Sequence, residues 1–263
     1  MRNDLDMIVK RFPASQKELH IYALGDLHVG SPEYDAEAVQ KKLQIIKDDP
    51  VGVVCICGDV ADYGLKNSKS NVYFQTMDPA AQQRFVYELL EPIKDKIVSL
   101  VPGNHEERIT KDVGLCPLYD IAVRLGIEDV YRENVAILKV AFGKRKGGPS
   151  QNTFVGITTH GSSRNKHQKH IASYDGIDWC ISGHTHQPMY VPHAKLRVNS
   201  QKETVVLAPY KEIVVDANLK PGGYGIKKEY EIPAKPELQY LELKTRRSDN
   251  TIFKIINYHT IQL

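Results

Sequence analysis

Five short fragments carry nearly all the residues able to do chemistry. They are Asp26-Leu-His28, Gly58-Asp59-Val-Ala-Asp62, Gly103-Asn104-His105-Glu106, His160-Gly161 and Gly183-His184-Thr-His186. Their side chains are carboxylate, imidazole and carboxamide, with no thiolate among them. Hard oxygen and intermediate nitrogen donors of this kind suit Mn²⁺, Fe²⁺/³⁺, Zn²⁺ or Ni²⁺, and the residue types do not choose between these metals. Asp26 and His28 stand two apart, so in an extended backbone both point to one side.

Each fragment follows a short apolar run. Leu19 to Gly25 reads as a strand, and so do Val51 to Cys57, Ile97 to Val101, Phe154 to Thr159 and Asp178 to Ser182. Ligand groups placed at the carboxyl ends of strands are the arrangement that open α/β sheets use. Val51 to Cys57 is apolar almost throughout, as a parallel strand buried on both faces should be. Tyr34 to Asp48 has helical periodicity and ends at Pro50. Asp78-Pro79 reads as an N-cap with proline in the first turn of a helix reaching Leu90, with a break at Pro92. Pro117 to Leu125 reads as a helix closed by Gly126.

The first 18 residues read as an arm or short helix, and 63–78 as a long loop of the kind that tends to be functional. Val135 to Phe142 and Phe154 to Thr159 form a hairpin around a basic turn at Lys144 to Pro149. Thr204 to Ala208, Gln239 to Lys244 and Thr251 to Ile256 are strand-like. Strands and helices alternate in the first half, and strands dominate the second. One domain is the simplest account, with a core over about 19–210 and a strand-rich extension over about 211–263.

The chain has 263 residues, 41% hydrophobic and 25% charged, with net charge +3. That balance is ordinary for a globular protein and too small to argue for nucleic acid or a membrane. The start, Met1-Arg-Asn-Asp-Leu-Asp, lacks the apolar core of a signal peptide, and no apolar run approaches the ~20 residues of a transmembrane helix. Cys55 and Cys57 alternate along one strand and read as reduced core thiols of a cytoplasmic protein.

Taken in order, the five fragments resemble the signature of the calcineurin-like metallophosphoesterase superfamily, over residues 24 to 186. The wording around Thr76-Met77-x-Pro79 and Ile93 to Ile97, leading into V-P-G-N-H-E-E-R, is similar to small phage- or prophage-type members. The resemblance implies a four-layer α/β/β/α sandwich of two mixed β-sheets flanked by helices, with a binuclear metal centre. Carried onto this sequence, Asp26, His28 and His186 would hold one divalent ion, and Asn104, His160 and His184 the second. Asp59 would bridge them, with manganese foremost among the metals. His105 would be the general acid, protonating the leaving oxygen, and Asp62 would orient its ring.

Two dications less two aspartates leave about +2, which attracts a phosphate ester, and such a pair activates water and clamps both non-bridging oxygens. The implied reaction is phosphodiester hydrolysis by metal-activated hydroxide, on DNA, RNA or a nucleotide. A phosphomonoesterase is the alternative, and a silent scaffold a third reading. Where the superfamily's protein Ser/Thr phosphatases carry Arg after the second Asp, this chain has Tyr63. That departure leans away from protein phosphatases. Arg108 and Arg164 are candidate substrate contacts. Arg164 belongs to a basic stretch with Lys166, His167, Lys169 and His170. Tyr210, Tyr224, Tyr230 and Tyr240 could stack on a base, though sheet packing is the commoner use of such residues. Oligomeric state is not legible.

Overall fold

The computed structural model describes residues 5–66, 68, 72–143, 151–161, 173–201, 203–222, 226, 236–248 and 251–263. Within them the chain forms two mixed β-sheets that face each other, with helices alongside. The first sheet has the order β1 (Ile8–Arg11), β5 (Val135–Phe142), β6 (Asn152–Thr159), β7 (Trp179–Ser182), β9 (Thr204–Val214), β8 (Met189–Asn199). The second has the order β11 (Thr251–Gln262), β10 (Glu237–Ser248), β2 (Glu18–Leu24), β3 (Gly52–Ile56), β4 (Ile97–Leu100).

Two parallel blocks decide where the chemistry sits. β2, β3 and β4 run parallel in one sheet, and β6 and β7 run parallel in the other. Their carboxyl ends therefore open on a common edge of the sandwich. The sheets are joined through an almost wholly apolar core, with polar crossings where Ser99 Oγ and Thr158 Oγ1 lie 2.7 Å apart and where Asn152 Nδ2 donates to Thr245 Oγ1 at 3.2 Å. All five residues of β3 are buried, as its unbroken apolar run requires.

The helices α1 (Ala36–Asp48), α2 (Pro79–Leu90), α3 (Asn104–Val113) and α4 (Pro117–Leu125) follow their caps. Asp35 accepts from the Ala38 N–H and Asp78 from the Ala81 N–H. Gly126 ends α4 in the left-handed region, φ 71°. Pro92 does not stop the chain turning: Glu91–Lys96 continues as a 3₁₀ helix, which has less need of the missing N–H in its first turn.

Three expectations change. The arm expected before residue 18 contains β1, an edge strand paired in parallel with β5, since Ile8 buries itself beside Leu138. The strand β8 was not expected, because Pro192, Lys195 and Arg197 interrupt its apolar residues. It pairs with β9 along eleven residues as the sheet's edge, where proline is tolerated. The last strands are longer than expected, and β10 lies between β11 and β2. The four cysteines are free, three of them buried. Among the described residues no helix is long and apolar enough to cross a membrane. The Lys144–Pro149 turn, the stretch 163–172 with Arg164, and Tyr224 and Tyr230 lie outside the described residues.

Candidate metal centre

Each expected fragment lies just past the carboxyl end of a strand: Asp26 and His28 after β2, Asp59 and Asp62 after β3, Asn104 and His105 after β4. His160 follows β6, and His184 and His186 follow β7. The loops are forced into tight conformations. Asp26, His28, Asp59, Tyr63, His184 and His186 all have positive φ, between 41° and 73°. Such backbone costs about 1–3 kcal/mol per non-glycine residue and persists only where surroundings dictate it. The surroundings here are close backbone packing. Gly58, itself at φ 87°, meets the backbone of Gly103, and Gly103 meets Asp59, so a side chain on either glycine would collide.

Two groups of donor atoms result. In the first, His28 Nε2 and His186 Nε2 are 3.0 Å apart, with Asp26 Oδ1 at 3.9 and 3.6 Å from them. In the second, Asn104 Oδ1 lies 3.0 Å from His160 Nε2 and 2.7 Å from His184 Nδ1. His160 Nε2 is also 3.2 Å from Asp59 Oδ2. Asp26, Asp59 and His160 bring single donor atoms within 4.8 Å of one another, as do Asp26, His28 and His186. Asp26 thus belongs to both triads. His160 Nδ1 donates to the Cys57 carbonyl at 2.7 Å, which leaves the Nε2 lone pair facing Asn104 and His184.

Imidazole nitrogens, a carboxamide oxygen and two buried carboxylates are turned toward one another within about the reach of a shared ion. The donor set fits a binuclear site for divalent ions. Burial pushes Asp26 and Asp59 toward neutrality, but neighbouring histidines outweigh it and hold both carboxyls below the usual range. Burial opposes charge on His160, yet Asp59 and Asp26 raise its pKa to about 10.

His105 and Asp62 form the next layer. The His105 ring donates through Nδ1 to the Asp62 carbonyl at 2.6 Å and lies 3.2 Å from Asp62 Oδ1. Its Nε2 faces Asp59 Oδ2 at 3.7 Å, and its backbone N–H donates to Asp59 Oδ1 at 2.8 Å. Asp62 Oδ1 is also 3.3 Å from His28 Nδ1, so one carboxylate sets two rings. Glu106 is fully buried and accepts the N–H groups of Asp59, Ala61 and Gly103 at 2.9, 3.2 and 2.7 Å. It is a clamp between two site loops. Arg108 stands one helical turn beyond His105, half-buried, with Nη1 buried and unpaired among the described residues. Tyr63, one residue past Asp62, is buried.

Three supporting residues were missed. Gln75 donates to Asp62 Oδ2 at 2.7 Å, and Gln82 joins Gln75 to the Tyr63 N–H at 2.8 Å. Asn218 donates through its side chain to the Gly25 carbonyl and through its backbone to that of Asp26. Amide side chains in a loop or a helix carry no signal of what they will meet. Of the tail tyrosines, Tyr210 stacks on His193, and Tyr240 lies on Tyr22 and His259, which are sheet-packing roles.

The chain matches no curated protein sequence. Among solved structures, vacuolar protein sorting 29 from Cryptosporidium parvum is similar at 12% identity with a TM-score of 0.41. The match covers 94% of this chain and 100% of that one. Residues 19–188 match the calcineurin-like phosphoesterase family (Metallophos), a span that takes in every fragment described above. By that match over well more than half its length, the chain belongs to the calcineurin-like phosphoesterase family.

Proposed function

We propose that this protein is a binuclear-metal-dependent phosphodiesterase of the small phage type, acting on a nucleotide or short nucleic acid. The observation that carries the reading is the pair of donor groups that meet around Asp26 and Asp59, with an intact His105–Asp62 pair beside them. Asp26, His28 and His186 would hold one ion, Asn104, His160 and His184 the other, and Asp59 would bridge. Manganese is the first metal to try. When bound, two such ions polarise the phosphoryl oxygens and supply a nucleophile from water at neutral pH.

The chain's own residues do the rest. The Asp62 carbonyl holds the His105 Nδ1 proton, which leaves Nε2 as the atom that delivers a proton to the leaving oxygen. Arg108, with an unpaired buried Nη1 on the same helix face as His105, would grip a phosphoryl oxygen. The buried Tyr63, in the place where the superfamily's protein phosphatases carry Arg, supports a small or flexible diester over a phosphoprotein.

The test is His105→Ala with manganese supplied. Metal content should stay at the wild-type level. Turnover should fall about 10²–10⁴-fold on an alkyl diester and far less on bis-p-nitrophenyl phosphate, whose leaving group hardly needs a proton. Equal losses on both would remove His105 from the acid role. Turnover of p-nitrophenyl phosphate alone by the wild type would make the protein a monoesterase.

A further inference from the structure

Asp26 is held at each of its backbone polar groups, and the hold on its carbonyl comes from far along the chain. Its N–H donates to the Gly58 carbonyl at 2.9 Å, and its carboxylate accepts the His184 N–H at 2.9 and 3.2 Å. The other contacts come from Asn218, which is 2% exposed. Asn218 Nδ2 donates to the Gly25 carbonyl at 2.8 Å, and the Asn218 backbone N–H donates to the Asp26 carbonyl at 2.9 Å. Those two carbonyls belong to the peptide planes on either side of the Asp26 Cα. With both planes fixed, φ and ψ of Asp26 are fixed too. Asp26 stands at φ 47°, a conformation that persists only where the surroundings dictate it. The connection that carries Asn218 is itself anchored. The Val215 N–H donates to the Ser182 carbonyl at 2.8 Å, just before Gly183 and His184. The Asn218 carbonyl accepts the N–H of Asp35, the N-cap of α1, at 2.9 Å, and the Lys220 N–H donates to the Glu33 carbonyl at 2.7 Å. Residues 215–220 thus run from the end of β9 past the loop after β2 to the start of α1. They lie wholly outside residues 19–188, the span that matches the family.

We infer that Asn218 is a positioning residue for one of the two ions: it sets the Asp26 backbone so that the carboxylate meets His28 and His186. The inference rests on the two-ion reading of the site and adds a part of the centre that comes from beyond the family-matched span. Asp26 Oδ1 lies 3.9 Å from His28 Nε2 and 3.6 Å from His186 Nε2. A rotation of either peptide plane about the Asp26 Cα would swing the carboxylate away from that pair. The donors of the other ion, Asn104, His160 and His184, stand on loops to which Asn218 makes no hydrogen bond among the described residues. Loss of Asn218 should therefore weaken one ion and spare the other. Linkage requires the converse as well. Whatever factor Asn218 adds to the affinity for the ion, the bound ion adds to the persistence of the Asn218 contacts.

The test has two arms, both with the full-length protein stripped by a chelator and then titrated with manganese. The first is calorimetric. Asn218 Oδ1 is buried without a partner among the described residues, so Asn218→Leu, similar in size, removes the Nδ2 donation and orphans no donor. The wild type should take up two ions. In Asn218→Leu and Asn218→Ala one of the two binding steps should weaken roughly 10–100-fold, the range for a group that orients a ligand. The other step should stay at its wild-type affinity. The second arm uses the wild type alone and needs no variant to fold. Hydrogen exchange of the segment 215–220, read by mass spectrometry, should slow by a comparable factor when manganese saturates the protein.

Two unchanged binding steps in a folded variant would overturn the role of Asn218 and leave the metal centre standing. Equal weakening of both steps would overturn it too, since that is a general loosening of the fold. So would exchange in 215–220 that manganese does not slow. A wild type that takes up no ion would overturn both the inference and the two-ion reading.

Discussion

The loops at the carboxyl ends of β2, β3, β4, β6 and β7 and the free end of the β8–β9 hairpin are built on opposite terms. In the loops, buried polar groups are crowded together and six non-glycine residues take positive φ. In the hairpin, the strands are regular and among the described residues only Glu203, at the turn, has positive φ. Yet Leu196, Val198, Val205 and Leu207 are 60–73% exposed. Register places Leu196 opposite Leu207 and Val198 opposite Val205, so the four share one face of the ribbon. The other face is held by Lys195 on the Tyr174 carbonyl and by the Arg197–Asp175 pair. Conformational cost is concentrated where side chains must converge and is nearly absent where a strand pair only extends. The same sheet supports both, because β7 and β9 end in the site at one end and β9 outruns β7 at the other.

The sharpest way to break this contrast is to remove charge from its centre without touching packing. In Asp59→Asn the remaining oxygen can still accept the His105 N–H, so the fold should survive with little change in Tm. Metal content after manganese loading should drop below one ion per chain, and turnover should fall more than about 100-fold, since even partners of ligands carry 10–100-fold effects. Full metal content in this variant would mean that the donors do not act as one centre.

Next in size is the clamp. Glu106→Ala leaves the N–H groups of Asp59, Ala61 and Gly103 buried without an acceptor. At about 1–3 kcal/mol for each orphaned group, unfolding in denaturant should show a loss of about 3 kcal/mol or more. Glu106→Gln keeps one acceptor oxygen and should recover part of it.

Clamp and centre differ in how far the sequence disclosed them. That Asp26, His28, Asp59, Asn104, His160, His184 and His186 each follow a strand was legible because each comes after a short apolar run, whereas their grouping as ligands of two ions came from the family resemblance and not from the pattern. The fold was legible for the same reason, through β2, β3, β4, β6 and β7 and through the caps Asp35, Asp78 and Gly126. Gln75 and Asn218 were not, because an amide's partner depends on which loops come together, a matter of tertiary contact. β1 and β8 were missed because edge strands carry mixed, partly charged residues that blur the period-two signal.

A buried polar cluster around Asp216 has a pH signature of its own. Asp216 and Lys42 are both about 3% exposed, and Glu237 faces the same lysine. Burial raises the Asp216 pKa, the Lys42 charge opposes this, and the net value is about 6 against an ordinary 3.8. Burial also lowers the pKa of Lys42. Because the folded-state pKa of Asp216 lies above the unfolded one, its ionisation penalty is absent below pH 3.8. The penalty grows as pH rises toward 6 and is constant above that. At about 1.4 kcal/mol per pH unit at most between those values, wild type should lose about 2 kcal/mol more stability than Asp216→Asn from pH 4 to 6. Urea midpoints at both pH values measure this, and parallel slopes for the two proteins would refute it.

The smallest expected effect tests the other side of the comparison. Leu196→Thr with Leu207→Thr replaces one exposed apolar pair by another pair at home in a strand. Neither leucine is buried, so the change in stability should stay within about 0.5 kcal/mol, and turnover should not move. A loss above about 1 kcal/mol would mean that these side chains are covered in solution. The hairpin would then no longer be the unburdened end of the sheet, and the contrast with the site would reduce to a difference of backbone geometry. If stability holds, retention on a hydrophobic column should fall, because the leucines would have been facing water all along.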